Sequence, residues 1–131
     1  ELPTMAFFSK MSEKINCGTL IKFSILMFCV KHALTYFATN MIMIYLAQVC
    51  QMFAYALFIP ASVYYVNEKI ALADRVKGQS LVTTSMTLSG VFANFAGGIM
   101  LDALGVGHVL LAGIILSIVG AVIVILTTEK V

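Results

Sequence analysis

Charge is scarce in this chain. Only 11% of its 131 residues are Asp, Glu, Lys or Arg, against about 25% in an ordinary soluble domain. Hydrophobic residues make up 61% of it, and the mean hydropathy is +1.02. This poverty of charge excludes a soluble globular enzyme, a disordered chain and a nucleic-acid binder. What remains is an integral membrane protein. The net charge of +2 is too small for long-range attraction of a partner, so the placement of single charges carries the information.

Catalytic patterns are missing as well. There is no carboxylate pair inside an apolar run, no HExxH metal spacing, no GxSxG elbow and no P-loop. The chain is therefore not expected to be an enzyme or to carry a cofactor or metal. Its three cysteines, Cys17, Cys29 and Cys50, lack ligand spacing and read as small hydrophobes. No basic segment with a small-residue cleavage site opens the chain, which argues against a signal peptide. The first eight residues, from Glu1 to Phe8, are apolar like the end of a span. The expectation is a segment of a longer polypeptide, with residues 1–131 forming part of one transmembrane domain.

A bilayer core takes about 20 apolar residues of helix. Four stretches meet that length, at roughly 19–38, 41–66, 80–101 and 109–127, so the fold class is all-α, a polytopic membrane helix bundle. Basic residues set its orientation. Lys31 lies within a span; Lys10, Lys14, Lys22, Lys69, Arg75, Lys77 and Lys130 all fall on one side. Thr39-Asn40 and the Asp102–His108 turn, on the other side, carry no Lys or Arg. Both chain ends and the Asn67–Gln79 connection are expected in the cytoplasm, in a multi-pass protein of the plasma membrane.

Lys31 is the most informative residue. Counted from Leu20 it lies roughly 16 Å deep, near the midplane, where a lysine costs about 2.5–3.5 kcal/mol. Snorkelling accounts for Lys22 better than for Lys31, and His32 reads as a residue packed beside it. Ser24, Lys31 and Thr35 share one helical face, and Gln48, Gln51, Tyr55 and Ser62 share another on the second span. These polar faces line a wet cavity or serve as interhelical hydrogen-bonding glue. On the third span a small and polar stripe includes Ser80, Thr83, Thr87, Gly90, Asn94 and Gly97, with Asn94 a candidate to face solute. The fourth span, with its Gly113-Ser117-Gly120 ridge, reads as scaffold.

Val30-Lys31, Tyr36-Phe37-Ala38-Thr39, Gln51-Met52-Phe53, the Arg75-Val76-Lys77-Gly78-Gln79-Ser80-Leu81 stretch and the Gly97–Gly105 segment together carry a resemblance. The chain resembles the C-terminal half of a major facilitator superfamily transporter, closest to its lactose-permease and phenylpropionate-permease branch. The resemblance implies that residues 1–9 end an eighth helix and that the four spans are helices nine to twelve. In lactose-permease-like proteins the ninth helix bears an arginine and the tenth a histidine and a glutamate that serve proton coupling. The matching positions here are Lys31, Gln51 and Ala54. The basic group is kept in kind and the titratable pair is gone, so a coupling carboxylate must come from other helices, or Lys31 itself titrates.

The leading expectation is a secondary active transporter segment that moves a small polar solute, a sugar or an organic acid, with proton coupling and alternating access. Lys31, Gln51, Tyr55 and Asn94 are its candidate binding or coupling residues. Asp74, Arg75 and Lys77 form a candidate gating loop, otherwise a solvated topogenic one. The expected partners are the lipid bilayer, the solute and the remaining helices of the same longer chain. Two other classes stay open: a four-helix small multidrug exporter acting as a dimer, and a non-transporting membrane assembly subunit.

Overall fold

The computed structural model describes residues 2–128, without the side chains of residues 4 and 5. Expectations placed on Glu1 and on the Glu129-Lys130-Val131 end, including the topogenic role of Lys130, lie outside the described residues. Five α-helices follow one another: α1 (Leu2–Ser12), α2 (Cys17–Tyr36), α3 (Met41–Lys69), α4 (Arg75–Leu104) and α5 (Val106–Thr127), with one 3-10 turn at Leu72–Asp74. Four of them, α2 to α5, are long and apolar enough to cross a membrane.

The boundaries have local causes. Asn40, in an extended conformation, accepts a hydrogen bond from the Met43 amide at 3.2 Å and so caps the start of α3. Gly105 alone separates α4 from α5, at φ +84° and ψ 174°, a region open in practice only to glycine. Helix continues further than hydropathy suggests. The expected charged connection from Asn67 to Gln79 is mostly helical: α3 runs through Lys69 and α4 begins at Arg75. Hydropathy falls there but helix propensity does not, since Lys, Arg and Gln are good helix formers. Arg75 and Lys77 of the expected gating loop thus stand in the first turn of α4.

The packed centre lies between α1, α2 and α3. Phe8, Leu20, Ile21, Leu57 and Ala61 form one buried cluster, with Met11, Ile25 and Phe58 against it. Ala47, Ala54, Ala56 and Ala61 are all buried along α3. Small side chains let two backbones approach closely where lipid supplies no hydrophobic drive. Ser24 is fully buried here, and its hydroxyl donates to the Leu20 carbonyl at 2.9 Å.

α4 is attached differently. Its one buried residue is Gly78, at which an added Cβ would lie 2.5 Å from Ile70 Cδ1 and 2.9 Å from Val66 Cγ1. A side chain there would force Ile70 and Val66 to shift, and its absence lets the start of α4 press against the end of α3. Further along, α4 spans a cleft over α2.

Candidate functional site

The cleft under α4 holds two cavities that meet at Ala93. One, of about 310 Å³, lies between α2, α4 and α5 and takes its polar groups from Lys31, His32 and Thr35. The other, of about 430 Å³, lies between α2, α3 and α4 and includes Tyr55, Ser85 and Ser89. Phe28 stands against Tyr55 edge to face, ring centroids 5.0 Å apart. The same α2 face carries Phe28, Lys31, His32 and Thr35, as a spacing of three and four residues requires.

Lys31 is half-buried, and its ammonium has no acid partner among the described residues. It stands 14 residues after Cys17 and five before Tyr36, about 21 Å from one end of α2 and about 7.5 Å from the other. It therefore lies nearer the Tyr36 end of α2 than the Cys17 end.

The expected companions of Lys31 are distributed otherwise. Thr35 shares its cavity, whereas Ser24 is in the α2–α3 core. Tyr55 lines the adjoining cavity, and half-buried Gln51 lines neither. Gln48 and Asn94 are exposed, and Asn94 lines neither cavity. Lys31 thus opens toward α4 and α5, through Gly97 and Gly113, and not toward α3. Helical periodicity gives a residue's face on its own helix; it does not say which neighbour that face meets.

His32 is the residue that sequence reasoning undervalued. Its Nδ1 donates to the Phe28 carbonyl at 2.8 Å, and the Ser117 hydroxyl lies 3.2 Å from the same nitrogen. Ser117 donates its own hydrogen to the Gly113 carbonyl at 2.7 Å, and Cys29 Sγ reaches the Ser117 carbonyl at 3.2 Å. A methyl on Gly113 would lie 3.1 Å from the His32 ring. The Gly113-Ser117 ridge is therefore the docking surface for His32, and α5 forms a wall of the cavity as well as a scaffold. The available signal was a polar ridge on one helix and a histidine on another, with nothing in the sequence to join them.

At the far end of α4 the charged residues are engaged locally. Lys77 Nζ is 2.8 Å from Asp74 Oδ1, both side chains well exposed. Arg75 Nε points at the Ile70 carbonyl at 3.5 Å, and Gln79 Nε2 donates to the Val63 carbonyl at 3.0 Å. Arg75, Gln79 and Asn67 border an open cavity of about 500 Å³ between α3 and α4. Among the described residues the expected gating residues thus bond locally around the α3–α4 connection, and Gln79 makes the side-chain bond from α4 to α3.

A bundle of membrane-length helices around a cleft with one half-buried cation defines the class: a multi-pass membrane protein. The family model described as Major Facilitator Superfamily matches residues 2–131. The chain belongs to that superfamily of secondary transporters. No curated protein and no solved structure matches it.

Proposed function

We propose that the chain forms the C-terminal part of a proton-coupled symporter for a small polar solute, a sugar or an organic acid, in the lactose-permease and phenylpropionate-permease branch. In this reading α1 is the end of the eighth helix, and α2 to α5 are helices nine to twelve. Transport proceeds by alternating access, with the other helices of the same polypeptide completing the path. Lys31 fixes charge, and Tyr55, Gln51 and Asn94 offer hydrogen bonds to the solute or to the missing helices. Asp74, Arg75 and Lys77 gate the cytoplasmic end.

One observation carries this reading: a half-buried lysine that has no acid partner among the described residues and opens into a largely apolar cleft. An intramembrane cation is costly, and its place beside a cavity is the arrangement expected of a solute or ion pathway. The test is Lys31→Met in the full-length protein, with solute uptake and its pH profile measured at matched expression. The expected result is uptake reduced by at least tenfold, or loss of its pH dependence. Wild-type uptake with an unchanged profile would remove Lys31 from the pathway.

A further inference from the structure

We propose that His32 Nε2 is the site that takes up the coupling proton, and that the solute bound with it at Lys31 is a small monocarboxylate with a short apolar tail. The inference rests on the transport reading above and deepens it. Phe28's carbonyl can only accept, so at 2.8 Å the hydrogen of His32 sits on Nδ1. Ser117 has given its hydrogen to Gly113, so its oxygen faces that Nδ1–H as a second acceptor. The neutral ring therefore presents Nε2 as a bare lone pair. Among the described residues Nε2 has no hydrogen-bond partner, and no side-chain nitrogen or oxygen of theirs is both buried and unpartnered. It is therefore accessible, and His32 lines the Lys31 cavity.

The other polar groups of that cavity select the ligand. Thr35 Oγ1 donates to the Lys31 carbonyl at 2.8 Å and leaves only lone pairs for a solute. A carboxylate needs donors, and the cavity has two that qualify: the Lys31 ammonium, and Nε2 once it carries a proton. The neighbouring wall is apolar, with Leu110, Leu116 and Met100, which suits a short hydrocarbon tail. A neutral solute would leave the ammonium uncompensated.

Binding transfers one proton from a hydronium ion of the bulk water to the Nε2 lone pair: the donor's O–H bond breaks, leaving water, as the N–H bond forms, while the anion enters with its charge. Proton and anion together carry no net charge, and release reverses both steps. The charged and titratable surroundings of His32 are simple. On α2 they are Lys31 and Cys29; α4 and α5 contribute no titratable side chain to this cavity.

The experiment uses the full-length protein in lipid nanodiscs with radiolabelled hexanoate, and records proton uptake from a weakly buffered solution. The wild type is expected to take up about one proton per bound hexanoate, by linkage. His32→Asn keeps an N–H close to the Nδ1 position but has no Nε2. It should bind hexanoate about tenfold more weakly, having lost a charge-assisted hydrogen bond, and take up no proton. A second measurement needs no variant: carbethoxylation followed by mass spectrometry. Hexanoate, but not hexanol, should protect His32. His108, whose Nδ1 also faces a backbone carbonyl at 2.8 Å, should react alike under all conditions. Undiminished proton uptake by His32→Asn, or equal reactivity of His32 with and without hexanoate, would overturn the proton assignment while transport stands. Failure of the wild type to bind hexanoate, or binding that ignores Lys31→Met, would remove the Lys31 site as well.

Discussion

Gly78 shows how much one side chain can decide. It is buried where α4 begins, with the side chains of Ile70 and Val66 occupying the space a Cβ would need. Overpacking of this kind costs about 1–3 kcal/mol. Gly78→Val should therefore lower the thermal unfolding midpoint of the detergent-solubilised protein, while Gly90→Ala, with no atom within 4 Å of the added Cβ, should not. Equal midpoints for both would mean that α3 and α4 are not held together at this point. At the same scale, Lys31 was legible from the sequence because a cation in an apolar run is conspicuous. His32 was not, since its meaning depends on Ser117, 85 residues away. No local pattern encodes that pairing.

At the scale of the element, helix positions were readable and helix ends were less so. Hydropathy marks where lipid would lie, and so it undercounts helix that continues past the apolar core. α3 runs on to Lys69 and α4 starts at Arg75 for this reason. The α4–α5 turn rests on one residue, Gly105, the sole positive-φ position among the described residues. A side chain at that backbone geometry costs on the order of 1–3 kcal/mol. Gly105→Ala is expected to disturb the hairpin more than Gly107→Ala, which has open space around its Cβ. Limited proteolysis of the reconstituted protein near residues 104–107 would detect it: faster cleavage in Gly105→Ala alone is the expected result, and identical rates would show that the turn adapts.

For the whole molecule, the superfamily match and the four membrane-length helices establish a multi-pass bundle, and the fold class read from composition stands. The proposed orientation places the α3–α4 connection in the cytoplasm and the α4–α5 turn outside, from the basic residues near the former. In the full-length protein a cysteine at Val106 should react with an impermeant maleimide added to intact cells, and one at Ala73 should not. The opposite pattern would invert the arrangement. Which helices enclose each polar group was beyond the sequence. Small residues are spread over several faces of α4, and only the structure shows that Ala93 and Gly97 border the cavity that Lys31 lines.

The anchoring of α4 has a mechanical side. The helix is clamped at Gly78 by the end of α3 and has no other buried residue along its length. Gly97 lies 19 residues beyond the clamp, about 28 Å along the axis. A tilt of about 6° about Gly78 therefore moves that point by about 3 Å, close to the diameter of a water molecule, and stays well inside the ordinary scatter of helix crossing angles. Because no residue of α4 beyond Gly78 is buried, a tilt of that size would change the width of the Lys31 cavity without uncovering a buried side chain.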